Sequence, residues 1–342
     1  MKELGFCTNY TFYNNNYLFD PNSKYMDGDG SSHYTFRYLA KEANKHGIHV
    51  STIDTQPLDS YDAIFFLDFP TFKNQYFKKL IKEKFENLYL FMWENETIIP
   101  DNWKKENFQY FKRLYTWNDK IVDNKKFFKF FFPHRIPTGL SFELSQRKNF
   151  CCMIAANKSS NHNLELYSER VRAIRWFEKN APQSFDLFGT GWNDYTFNGV
   201  LRPLNEFKAL KKLVSPFYPS YKGAIKSKPS ILKDYKFSIC YENARDIPGY
   251  ITEKIFDSFF AGCVPIYWGA PNITDFIPEN TFIDRKKFDT YKELFDYMWN
   301  MSETEYLNYI YSIEKFVNGP QIYPFSANNF CDTIFRLIEE KS

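Results

Sequence analysis

A chain of 342 residues with 44% hydrophobic content can bury a large core, and its length predicts about two domains. The formal net charge of +3 lacks the broad basic footprint that nucleic-acid binding needs, so no nucleic-acid partner is expected. Aromatic residues make up 20% of the chain, but beside abundant Asn and Lys this bias fits compositional drift as well as sugar stacking and decides nothing alone.

The first half reads as alternating strands and helices. Residues 4–8 form a first strand, an Asn-rich irregular stretch runs to Gly30, and Ser31 or Ser32 caps a helix that ends at His46-Gly47. Strands follow at 48–53 and 63–67. Asp27-Gly28-Asp29 has the DxD form that holds a metal and a nucleotide diphosphate in some sugar-transferring enzymes. There it terminates an apolar strand; here it sits in a glycine-rich loop, so a turn is expected and no metal site.

A helix over 71–85 leads into the apolar strand 88–93, which runs out at Glu94-Asn95-Glu96-Thr97. Side chains alternate in an extended chain, so Glu94 and Glu96 would share a side and Asn95 would take the other. Alternation cannot choose between the two carboxylates. Prolines 133 and 137 break a Phe-rich run at a candidate domain boundary over 125–137.

The second half opens with a strand at 150–155, a loop, and a helix over 164–180 that carries Glu169, Arg170, Arg172 and Arg175. Its charges at three-residue spacing read as surface pairs, Glu169 with Arg172 and Arg175 with Glu178. A strand at 185–188 follows, and its glycines are too sparse for a dinucleotide or P-loop fingerprint. Lysines 222, 226 and 228 read as solvated charge with no assigned role. Amphipathic helices over 290–301 and 303–317 and a last helix over 327–340 close the chain.

Residues 235–288 are the most informative stretch. The apolar strand 237–241 stops at Glu242-Asn243, a polar loop with Pro248 and Gly249 follows, a helix is expected from Tyr250, and Gly262 ends it before the buried strand 263–268. This is a βαβ unit. Ligands bind at the carboxyl ends of strands in open α/β sheets, so Glu242, Asn243, Tyr250, Glu253 and Lys254 would face one crevice, with Gly269-Ala270-Pro271 as its far lip. Lys254 opposes the dipole of the helix whose first turn it occupies, which an anion bound beside it would explain.

Tyr241-Glu242-Asn243, then Tyr250-Ile251-Thr252-Glu253-Lys254, then residues 261–269 (AGCVPIYWG) and the continuation from Asp275 to Pro278, resembles the donor-binding motif of the α-1,3/1,4-fucosyltransferases, glycosyltransferase family 10. The usual Glu-Asn-Ser of that family is Glu-Asn-Ala here, and Gly249 precedes Tyr250. The resemblance implies an α/β fold of GT-B type, two Rossmann-like domains facing across a cleft. The expected division is 1–145 for the acceptor-binding domain and 146–342 for the nucleotide-sugar domain, with the last helix packing back on the first. It implies an inverting glycosyltransferase of glycan biosynthesis that moves L-fucose from GDP-β-L-fucose to an oligosaccharide or glycoconjugate hydroxyl, with an α-1,3-type linkage and no cofactor or metal.

Glu94 is the general base by this resemblance, with Glu96 second. Arg170 matches by position an arginine that contacts the donor's phosphates. Lys254 would join it there, Tyr250 would pack near the phosphates, and Asn243 and Glu253 would hold fucose or ribose hydroxyls. The loops at 9–30 and 97–107, which would shape the acceptor site, match no family pattern. A different nucleotide sugar on the same fold, or an idle carbohydrate- or nucleotide-binding module, are the alternatives.

Six cysteines lie mostly in apolar runs without CxxC spacing, which predicts buried reduced thiols. No signal peptide is read at the N-terminus and no apolar run reaches the ~18 residues of a membrane span. The expected location is therefore cytoplasmic, with peripheral membrane contact through a lipid-linked acceptor.

Overall fold

A computed structural model describes residues 2–21, 31–143, 147–192, 199–207 and 215–339. Asp27-Gly28-Asp29 and the expected boundary at 145/146 lie outside them. The chain builds two parallel sheets in succession. In the first, β1 (Lys2–Thr8), β2 (Ile48–Thr52), β3 (Ala63–Leu67), β4 (Leu88–Met92), β5 (Arg113–Thr116) and β6 (Phe127–Lys129) lie in the order β2-β1-β3-β4-β5-β6. In the second, β7 (Asn149–Ile154), β8 (Phe185–Phe188), β9 (Tyr235–Tyr241), β10 (Val264–Trp268) and β11 (Ile283–Asp284) lie in the order β11-β10-β9-β7-β8. Every residue of β3 and β4 is buried, as expected of parallel strands covered on both faces, which is why they read as unbroken apolar runs.

Helices α1 (Ser31–Lys45) and α2 (Gln75–Lys82) belong to the first half. The second carries α3 (Tyr167–Asn180), α4 (Lys228–Leu232), α5 (Glu253–Phe260), α6 (Tyr291–Trp299) and α7 (Glu303–Asn318). Several helix starts fall later than the sequence suggests, among them α3 at Tyr167 and not at 164. The Asn74 side chain accepts from the amides of Tyr76 and Phe77, so α2 starts at Gln75 and not at 71. The helix expected from Tyr250 starts at Glu253, because the Thr252 amide turns aside to the Glu242 carboxylate. The stretch expected as a boundary over 125–137 begins instead with β6, which pairs with β5.

The chain crosses between the halves twice, side by side: His134 and Ser326 form a parallel bridge, with His134 N donating to Phe325 O and Ala327 N donating to His134 O. After the second crossing, α8 (Ala327–Glu339) places Phe330, Ile334, Leu337 and Ile338 in one apolar cluster with Phe6, Phe36, Leu39 and Phe91. All six cysteines are buried and free. Among the described residues no helix is long and apolar enough to cross a membrane.

Candidate active site

The strand register fixes one side of the site. Thr8 pairs with Leu67 and Leu67 with Phe91, so β1, β3 and β4 end in one row. Just past β3, Asp68 takes φ +67, in the left-handed region that Asp tolerates better than most residues. Its Oδ1 accepts from the amides of Trp93 (2.7 Å) and Glu94 (2.8 Å) and from Asn102 Nδ2 (2.6 Å). Asn102 Nδ2 and Trp103 Nε1 also donate to the Glu94 carbonyl, so the backbone of Glu94 is held from both sides.

The Glu94 carboxyl has no hydrogen-bond partner among the described residues. Burial, then the charges of Asp68 and Glu253, push its pKa up to about 7, opposed by Lys254 and Lys158. Glu253 and Lys254 belong to α5, so the end of β4 and the start of α5 lie within charge range across the two halves. Glu96 differs: its side chain is 60% exposed and lies 3.9 Å from His162 Nε2. Side-chain alternation stops beyond Met92 because the chain turns there. Asn95, fully buried, accepts on Oδ1 from the Thr97 amide and hydroxyl, while its carbonyl accepts from the amides of Ile98 and Ile99.

The other side is built at the end of β9. Glu242 was expected to face the crevice, but it is fully buried. Its Oε1 accepts from Thr252 N (2.8 Å) and its Oε2 from Thr252 Oγ1 (2.6 Å), which clamps the start of α5. Lys254 Nζ lies 3.3 Å from Glu242 Oε2 and 3.4 Å from Glu253 Oε1 and donates to Thr252 Oγ1. Two carboxylates thus already balance the lysine that opposes the helix dipole. Desolvation works against its charge, but Glu253 and Glu242 raise its pKa overall. Crowding by protein would raise the Glu253 carboxyl, yet Lys254 and Lys228 hold it well below the usual range, even though its side chain is 49% exposed. Lys228, given no role by the sequence, reaches Asp257 at 2.7 Å and Glu253 at 3.9 Å.

Arg170, expected at the donor's phosphates, reaches under the loop that follows β9. It is buried, and its Nη2 donates to Tyr241 O (2.7 Å), Glu242 O (2.9 Å) and Asn243 Oδ1 (3.0 Å). This nitrogen is committed to the loop, so Arg170 orients Asn243 and contributes charge that is felt at Lys254. The neighbouring arginines form the surface pairs read from spacing, Arg172 with Glu169 and Arg175 with Glu178.

Tyr250, expected near the phosphates, packs between the two halves. Its ring is buried 4.4 Å from Trp117 and 6.2 Å from Phe132, both of the first half. Gly249 makes this approach: at φ +80, a Cβ there would lie 2.2 Å from the Trp117 carbonyl oxygen. Its amide donates to Asn272 Oδ1, Asn272 Nδ2 donates to Asp119 Oδ2, and Asp119 pairs with Lys129. The donor-side loop is therefore stapled to the first half.

Sequence reasoning missed Asp68, Asn102 and Lys228. Asp68 was findable, because it directly follows an apolar strand whose carboxyl end belongs to the same row. With its charge removed and its acceptor oxygen kept, Asp68→Asn is expected to shift the acid limb of a pH–rate profile below pH 7; an unmoved limb would show that Asp68 does not tune Glu94. A hollow of about 410 Å³ lined by Phe276, Pro278, Gln321 and Phe325 contains none of these residues. No group of three or more His, Cys, Asp or Glu among the described residues is arranged to hold a metal.

Residues 144–342 match the family model described as glycosyltransferase family 10 (fucosyltransferase), C-terminal region. The chain belongs to glycosyltransferase family 10. The family 10 match covers every residue assembled above on the donor side. The chain is 38% identical over 90 residues to the alpha-(1,3)-fucosyltransferase FucT of Helicobacter pylori, covering 25% of this chain and 18% of that protein. It is 34% identical over 207 residues to the mouse 4-galactosyl-N-acetylglucosaminide 3-alpha-L-fucosyltransferase 9, covering 59% of this chain and 47% of the relative. The matches thus span less than half the length of these relatives. A crystal structure of an alpha1,3-fucosyltransferase with GDP superposes at a TM-score of 0.53 with 14% identity, covering 91% of this chain and 81% of that one. That likeness extends over both halves and shows the two-sheet GT-B fold in this family 10 chain.

Proposed function

We propose that this family 10 chain is an inverting glycosyltransferase that moves L-fucose from GDP-β-L-fucose to a glycan hydroxyl, with an α-1,3-type linkage and no metal at the chemical step. The observation that carries the reading is the placement of Glu94. It is a half-buried carboxyl without a hydrogen-bond partner among the described residues, with a pKa raised to about 7, and it faces the charged start of α5.

A base needs a pKa near the working pH and an uncommitted carboxylate, and Glu94 meets both needs. Its carboxylate takes the acceptor proton as the acceptor oxygen bonds to the anomeric carbon. The bond from that carbon to the diphosphate oxygen breaks on the opposite face, which turns a β-linked donor into an α-linked product. Negative charge then grows on the departing GDP, and Lys254 stands at the helix start to meet it. Arg170 acts one layer back by holding Asn243, and Glu253 takes sugar hydroxyls in this reading. Six buried thiols fit a reducing, cytoplasmic setting.

Calorimetric titration with GDP-fucose, GDP-mannose and UDP-galactose in EDTA tests the donor without knowledge of the acceptor. GDP-fucose is expected to bind at least about tenfold more tightly than the others, a preference of about 1.4 kcal/mol. Preference for another nucleotide sugar would keep the fold and overturn the donor, and binding only with added metal would overturn metal independence.

A further inference from the structure

The mechanism does not use the loop that follows β1, and the first turn of this loop is tied to the strand end that carries the base. The register of β1, β3 and β4 puts Tyr10, Asp68 and Glu94 along one edge of the sheet, with β1 and β4 separated by two strand spacings, about 10 Å. Thr8 Oγ1 accepts from the Tyr10 amide and donates to the Tyr10 carbonyl, which pins the first turn of the loop. A chain of hydrogen bonds then ties it to the base. Asn9 Nδ2 donates to Phe69 O (3.1 Å), Phe69 N donates to Asn102 Oδ1 (2.6 Å), and Asn102 Nδ2 donates to Glu94 O (3.1 Å). The loop is thus fixed relative to Glu94 by the same asparagine that positions the Glu94 backbone.

Tyr10 is nevertheless 49% exposed. Its ring lies 5.5 Å from that of Phe12 and 6.2 Å from that of Tyr13, and those two rings are 4.3 Å apart. A large aromatic face held rigidly toward water loses little conformational entropy on covering an apolar surface, and its phenol can still hydrogen-bond at the edge. Partial burial, then the charges of Glu94 and Asp68, raise the Tyr10 phenol above its ordinary value, so ring and base share one electrostatic environment.

We propose that Tyr10, backed by Phe12 and Tyr13, is the acceptor platform of this enzyme, stacking the apolar C–H face of a pyranose ring whose neighbouring hydroxyl is delivered to Glu94. This deepens the fucosyl-transfer reading and rests on it. A sugar with one face rich in axial C–H bonds, such as galactose, suits a flat ring with a polar rim. The donor-side residues of α5 and of the loop after β9 play no part in the platform.

The test uses the full chain with the disaccharide 4-galactosyl-N-acetylglucosamine, the acceptor unit in the mouse relative's name. Tyr10→Ala is expected to raise the acceptor KM about tenfold or more, leaving kcat at saturating acceptor and the Kd for GDP-fucose within about twofold. Tyr10→Phe, which keeps the ring, should restore most of the lost affinity. Ligand-observed NMR of the disaccharide with the Glu94→Gln protein and GDP reads binding without turnover, and it should lose its signal on adding Tyr10→Ala. An unchanged KM and NMR signal in Tyr10→Ala, equal losses in Tyr10→Phe and Tyr10→Ala, or no disaccharide binding to the wild-type chain would each overturn the platform. Failure of the donor reading shows separately, as absent GDP-fucose binding or transfer indifferent to Glu94.

Discussion

Glu94→Gln is expected to cut fucosyl transfer by roughly a hundred- to ten-thousandfold while leaving GDP-fucose affinity nearly unchanged and making the protein more stable at pH 8. The loss follows from removing the uncommitted proton acceptor placed at the end of β4. The gain follows from linkage. An ordinary glutamate has a pKa near 4.5 and the folded Glu94 has one of about 7, so folding disfavours its charged form. Below pH 4.5 the group is protonated in both states and contributes no difference. Across the window from 4.5 to 7 the folded state binds the extra proton, and stability falls as pH rises. Above pH 7 the full penalty is present, about 3 kcal/mol for a shift of this size, and the neutral amide lacks it. Thermal unfolding at pH 4 and pH 8 checks this: the variant should match the wild type at the lower pH and exceed it at the higher. The wild-type kcat/KM should rise about tenfold per pH unit up to about pH 7 and then level off. A Gln variant that retains transfer, or an acid limb near 4.5, would remove Glu94 as the base.

Lys254→Ala is expected to abolish measurable transfer and to weaken the fold as well. The ammonium is the charge nearest the helix start that can meet the departing diphosphate, and losing one such contact lowers rates by roughly ten- to a thousandfold. The structure adds a second effect that the sequence did not suggest. Lys254 Nζ is 3.3 Å from a fully buried Glu242 carboxylate, which would keep only Thr252 as a partner. Removing one partner of such a pair costs about 3 kcal/mol. Burial already raises the Glu242 carboxyl and Lys254 is the leading influence that lowers it, so the variant's stability should fall as pH rises through the new Glu242 pKa. The double variant Lys254→Ala/Glu242→Gln separates the effects. It should recover much of the stability, read by urea unfolding, and none of the transfer. Near wild-type turnover in either variant would take Lys254 out of the mechanism.

What the sequence leaves open at the site has one physical origin. Glu94 and Glu96 stand out together because an apolar strand ends beside them, and strand ends are written in hydrophobicity; the family resemblance alone favours Glu94. Arg170 is expected at the phosphates by its position, Tyr250 by the motif, and Glu242 in the crevice by the strand end; in the structure each also holds another part of the protein. A polar side chain at a cleft can face the ligand or brace the neighbour that does, and the same residue type serves both. The helix expected from Tyr250 was misplaced for a related reason. Its start depends on where the Glu242 carboxylate meets the Thr252 amide, a contact ten residues apart that no local pattern encodes.

By itself the sequence determined the alternation of strands and helices, the buried reduced thiols and the family, since local periodicity and a contiguous motif carry these. The tertiary structure decided which charges meet across the cleft. Glu94 and Lys254 are 160 positions apart in the chain, and their approach depends on two sheets, the twin crossings at His134 and Ser326, and the glycine at 249 that admits the Trp117 carbonyl. Such contacts depend on the packing of whole elements, and the free energy that sets them is spread over many apolar side chains rather than written at the residues that react.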